Sequence, residues 1–146
     1  MKHRKLVIFI LSCTVAAQAG ECKSDNFDNL KRTVHRIIET GMTTGWDDKL
    51  LSRSGDMTAL AIVKALPDAE LTKPNTIPNV LDVIYGSFSC VFRCVESASE
   101  RDPRLTLLLL DHLREHANGQ LRTRVEETKK FVLQQTYKVW LDTHVK

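Results

Sequence analysis

His112-Leu113-Arg114-Glu115-His116 is the stretch of this chain whose residue types and spacing could do chemistry. Two histidines four apart on a helix share one face, a turn apart, and both rings can turn toward a single metal ion. The glutamate between them could act as general base toward a metal-bound water. His112, Glu115 and His116 would then carry the activity of a small zinc-dependent hydrolase. A catalytic zinc needs a third protein ligand, and Glu126 and Glu127 are unspecific candidates for it. The plainer reading is that histidines at a helix C-terminus are favoured by the helix dipole and need no ion. That reading is preferred: the sequence assigns no catalytic residue, no metal ligand and no cofactor, with the hydrolase kept as the alternative.

The H-x-x-E-H order resembles that of the inverzincin metallopeptidases, which are built on much larger domains than 146 residues allow. The nucleophile elbow, the phosphate loop and the dinucleotide fingerprint are absent. Cys94, beside Arg93, could have a lowered pKa, but beside Phe88, Val91 and Val95 it reads as a small core residue. Trp46 and Trp140 could anchor a partner. With apolar neighbours at hand, core placement is the stronger expectation for both.

The histidines end a segment that carries its own start and stop signals. Asp102 is placed as an N-cap, Pro103 at the first helical position, and Asn118-Gly119 as the left-handed stop. Leu105, Leu107, Leu108, Leu109, Leu110 and Leu113 cover most of the circumference, which predicts a central helix buried between neighbours. Helical spacing recurs elsewhere. Phe27, Leu30, Val34, Ile37 and Ile38 predict a helix from Asn26 to about Thr40, closed at Gly41. A Gly/Thr/Ser-rich stretch follows, anchored by Trp46, Leu50 and Leu51, with a short turn over 47–53. Asp56 opens a second clear helix, halted by Pro67. Ile77, Leu81, Ile84, Phe88, Val91 and Val95 mark a long helix from about Thr76 to Ser97, with Gly86 a mild weakness. Leu121, Val125, Val132, Val139 and Trp140 mark a last one. Nothing reads as strand.

Residues 1–19 stand apart. Met1-Lys2-His3-Arg4-Lys5, an apolar run from Leu6 to Val15 and Ala17-Gln18-Ala19 have the order of a cleaved secretory signal. The apolar run is about half of the ~20 residues a membrane span needs. Removing the segment takes Lys2, Arg4 and Lys5 from the 21 bases, leaving 18 against 18 acids. A neutral mature chain gives no support to nucleic-acid binding. Residues 20–146 form one domain, secreted or periplasmic, with no membrane span. Cys22, Cys90 and Cys94 remain in it. A bridge from Cys22 to Cys90 or to Cys94 would staple the N-terminal segment to the core. All three as free thiols is the alternative, since pairing cannot be deduced from sequence.

Two helix pairs can be laid on each other. At an offset of 47, Leu60, Ile62, Val63 and Leu66 fall on Leu107, Leu109, Leu110 and Leu113; at 44, Ile77, Leu81, Phe88 and Val95 fall on Leu121, Val125, Val132 and Val139. A two-helix period of this length, with Asp102-Pro103-Arg104 opening a first helix, resembles HEAT repeats over roughly residues 56–142. The units lie near 56–97 and 102–143, and residues 26–55 would supply an atypical cap. The expected fold is all-α with about five helices in HEAT-like stacked pairs, or, failing that, a simple helical bundle. The resemblance implies action by protein–protein binding, as a scaffold, inhibitor or immunity-type protein, toward a partner it does not name.

Overall fold

The structure, a computed structural model, describes residues 24–89 and 102–144, and the side chains of 27–89 and 102–137. The expected signal segment, Cys22, Cys90, Cys94 and the Trp140 side chain lie outside the described residues. Among the described residues there are six α-helices, a short 3-10 helix and no strand. The helices are α1 (Ser24–Thr40), α2 (Gly45–Ser54), α3 (Met57–Ala65), α4 (Thr76–Phe88), α5 (Arg104–His116) and α6 (Gly119–His144), with the 3-10 helix Asp68–Thr72 between α3 and α4. None of them is long and apolar enough to cross a membrane.

The helix beyond the expected five is α2, a full ten residues where the sequence predicted a short turn. Its start is a capping box. The Asp47 N–H donates to the Thr44 hydroxyl, and the Thr44 N–H donates 2.8 Å to the Asp47 carboxylate. The stop of α1 is as expected: Gly41 adopts φ 70°, and its N–H reaches the Ile37 carbonyl at 2.7 Å. Leu66, extended before Pro67, ends α3. The fourth helix ends at Phe88, with Ser89 extended; the rest of the expected span, residues 90–97 with Val91 and Val95, lies outside the described residues.

Packing follows two rows. α1 lies against α3 and α3 against α5; α2 lies against α4 and α4 against α6. Cross-contacts join α1 to α4, α3 to α4 and α5 to α6. The core these contacts enclose includes Val34, Ile37, Leu51, Leu60, Ile62, Ile84, Phe88, Leu110, Leu113, Val125 and Val132. The centre belongs to α4, not to the leucine-rich α5. Eight of the thirteen residues of α4 are buried, because α1, α2, α3 and α6 all pack on it. Among the described residues α5 packs mainly on α3, α6 and the 3-10 helix, and Leu107 and Leu108 stay half-buried.

The cap of α5 also differs from expectation. Asp102 does not cap the helix; its carboxylate pairs with the Arg104 guanidinium at 2.6 Å. The cap comes from Asp56, in the turn between α2 and α3. Its carboxylate accepts the N–H groups of Leu105 (2.9 Å) and Thr106 (2.7 Å) and the Thr106 hydroxyl (2.6 Å). Asp56 makes no side-chain cap on its own helix α3. The left-handed Gly119 (φ 55°) likewise opens α6 instead of closing α5, which ends on an extended Ala117.

Burial pushes the Asp56 carboxyl above 3.8, against the opposing pull of the Thr106 and Leu105 hydrogen bonds. A raised folded pKa means that this titration contributes stability fully below pH 3.8, and that the contribution fades as pH rises through the folded value. Asp56→Ala should cost about 1–3 kcal/mol by leaving three donors without their acceptor. Urea unfolding checks this, and the wild type should gain stability relative to Asp56→Asn on acidification from neutrality to below pH 3.8.

Candidate functional site

The histidine constellation sits in the last turn of α5. His112 leans toward the 3-10 helix, where its Nε2 lies 3.1 Å from Asp68 Oδ1. Its side chain is 11% exposed, and Nδ1 is buried with no partner. A proton on Nε2 donates to the Asp68 carboxylate in this geometry. The His116 ring meets His112 edge-on, centroids 4.9 Å apart. The sequence therefore brings the two rings together as expected, but the first of them is already engaged by a carboxylate.

The remaining expected participants do not converge there. Glu115 is exposed. Glu126 accepts from Arg114 Nε at 2.8 Å, and Glu127 is exposed on α6. Among the described residues no group of three His, Cys, Asp or Glu is placed to hold a metal ion. What the arrangement does physically is tie α5 to the 3-10 helix through one hydrogen bond. Asp68 is the residue that sequence reasoning missed, because it lies 44 positions from His112 and inside a stretch read only as a polar connection.

A second polar tie fixes the entry to α2. The Arg36 guanidinium on α1 donates to the Asp47 carboxylate, which also accepts the Thr44 N–H. Burial works to raise the Asp47 pKa; Arg36 and Thr44 outweigh it and hold the carboxyl below 3.8. This hook sets the start of α2 against the end of α1.

Between the end of α1, α2 and α4 lies a cleft of about 400 Å³. Ile37 and Leu51 give it an apolar floor, while Asp48, Asp82 and Tyr85 stand along its walls. Gly86 is part of the reason for its shape: a Cβ there would come within 3.3 Å of the Leu51 side chain. Tyr85 stacks on Phe131 of α6, centroids 4.3 Å apart. The Arg124 guanidinium, also from α6, pairs with Asp82.

Trp46 is not a core anchor. It is 80% exposed at the start of α2, near Met42 at 67%. Leu51 takes the buried place instead, and the Lys49 ammonium lies 4.9 Å from the centre of the Trp46 ring. Position explains it: α2 turns Asp47, Leu51 and Ser52 inward, and Trp46 lies on its outward side. The other exposed large apolar residues are Tyr85 on α4 and Leu133 and Tyr137 on α6. Among the described side chains, all five belong to the α2–α4–α6 row or the loop leading into it; α1, α3 and α5 carry none.

His112→Ala should lower the unfolding free energy by about 1–2 kcal/mol through loss of the Asp68 tie, while His116→Ala should stay within about 1 kcal/mol. Thermal unfolding of the two variants side by side checks this. No protein-family model, no curated protein and no solved structure matches this chain.

Proposed function

We propose that this chain is an exported, non-enzymatic binding protein whose stacked helix pairs, of the HEAT kind, present one row of helices to a protein partner. The observation that carries the reading is the one-sided distribution of exposed apolar side chains. Met42, Trp46, Tyr85, Leu133 and Tyr137 mark the α2–α4–α6 row and its leading loop. Scattered exposed apolar residues are ordinary. Five confined to one row, with an indole among them, fit a surface that a partner covers.

The order of packing supports the repeat part of the proposal. Each helix of one row touches its successor in that row, as stacked pairs require. On this reading α1 and α2 form the first pair, so that residues 24–54 act as a full unit. The signal-like residues 1–19 support export. For the hydrolase alternative no observation speaks, since Glu126 is taken by Arg114 and Nε2 of His112 by Asp68.

The test uses the exported chain as bait, with crosslinking, in the compartment where it accumulates. Trp46→Ala should reduce recovery of a specific partner about tenfold or more. The same variant should alter stability by no more than about 0.5 kcal/mol, because the side chain packs on little. His35→Ala, on exposed α1, should capture normally. A chain kept in the cytoplasm with Met1 intact would refute export, and a partner indifferent to Trp46 would refute the assigned row.

A further inference from the structure

We infer that the cleft between α2 and α4 receives a basic side chain, lysine or arginine, from the protein partner. The inference rests on the binding reading above and narrows it to one pocket. The charged residues lining the cleft are Asp48 and Asp82, with no lysine or arginine among the lining. Helix α4 carries no basic residue at all. Of the cations on α1, α2 and α6, Arg36 is committed to Asp47, Lys49 lies over Trp46 and Arg124 pairs with Asp82, while Lys31, Arg32, Arg53, Arg122, Lys129 and Lys130 do not line the cleft. Asp48 is exposed at the mouth and stands across from the Asp82–Arg124 pair.

The rest of the lining suits the same occupant. A lysine or arginine has a long methylene stem that favours apolar surface and a head that stays near water. Ile37 and Leu51 supply that surface at the floor. The Tyr85 ring, held in place by its stack on Phe131, offers a π face to a cation at the wall. Gly41 and Gly86 keep the cleft open, since a Cβ at either would press on Asn79 or Leu51. An acidic or purely apolar side chain would leave Asp48 uncompensated against it.

Amide NMR titration of the mature chain tests this with blocked tripeptides, acetyl-Gly-X-Gly-amide, where X is arginine, lysine or the neutral arginine isostere citrulline. Arginine and lysine peptides should shift the amides of Gly41, Ser52 and Gly86 saturably, with citrulline about tenfold weaker. Asp48→Asn should weaken the arginine peptide about tenfold, Asp48→Lys should abolish its binding, and Tyr85→Leu should weaken it about threefold. Asp48 is exposed, and unchanged circular dichroism confirms that both Asp48 variants fold. No saturable shift, equal binding of citrulline, or indifference to Asp48→Lys would each overturn the inference. Tighter binding of the free amine agmatine than of the peptides would overturn the partner assignment and mark a small-amine pocket. His35→Ala, away from the cleft, should bind the peptides normally. Trp46-dependent partner capture without peptide binding would sink the cleft and leave the binding function standing.

Discussion

The carboxylate of Asp56 at the start of α5 is the constraint on which the relative placement of the helices depends. Three donors converge on it, two of them backbone N–H groups that the helix itself cannot satisfy. The contact ties the turn before α3 to the first turn of α5, across about fifty residues of chain. Hydrophobic burial alone would allow α5 to slide or rotate on α3, since leucine surfaces are non-directional. A carboxylate aimed at two consecutive N–H groups fixes both rotation and height. Its energy is small beside the core, about 1–2 kcal/mol for a cap against about 2–5 for truncating one buried leucine. Its role is therefore registration rather than bulk stability. The raised pKa of Asp56 shows that burial of the charge is incompletely offset even there.

The other polar ties work in the same way. Arg36 to Asp47 sets α2 on the end of α1, His112 to Asp68 sets the 3-10 helix on α5, and Asn79 donates to the Ile38 carbonyl at the end of α1. Each joins an element end to a neighbour, where backbone groups lack intrahelical partners. Between those pinned ends the apolar residues are free to interdigitate, and α4 fills the middle because four helices close on it. The cleft beside α4 follows from the same geometry. α1 and α2 are held at their junction by Arg36 and Asp47, and Gly86 admits the Leu51 side chain, so the space above that contact stays open.

Much of this was legible in the residues and some of it could not be. Steps of three and four among Leu30, Val34 and Ile37, or among Ile77, Leu81 and Ile84, report burial on one face directly, and the helices they predict are present. The stop at Gly41 was legible because a left-handed residue is a local property. The cap of α5 was not. Asp102 offers the right local chemistry, but Arg104 competes for its carboxylate and a distant aspartate wins the helix end. Asp56 was seen as a helix opener because sequence shows only the helix that follows it. The centrality of α4 over α5 was hidden likewise, since leucine count measures how much surface wants burial and not how many neighbours arrive to bury it. For the candidate site, the His112–His116 pairing came from spacing alone, whereas Asp68 came from the fold. Trp46 misled because residue type favours burial, while at the start of α2 it is the neighbouring Asp47 that turns inward and Trp46 that faces solvent.

The distribution of exposed apolar side chains bears on function more strongly than the histidines do. A protein could lower its free energy by replacing Trp46 or Met42 with polar residues, as neither packs in the core. Their row also holds the cleft, in which Asp82 is paired with Arg124 and Asp48 stands exposed. In the histidine pair, Nε2 of His112 is engaged by Asp68 and His116 lies edge-on to the His112 ring, while His112 Nδ1 is buried without a partner. The exposed indole of Trp46 belongs to the same row as the cleft. That asymmetry is the ground on which the binding proposal is set on the α2–α4–α6 row rather than at the end of α5.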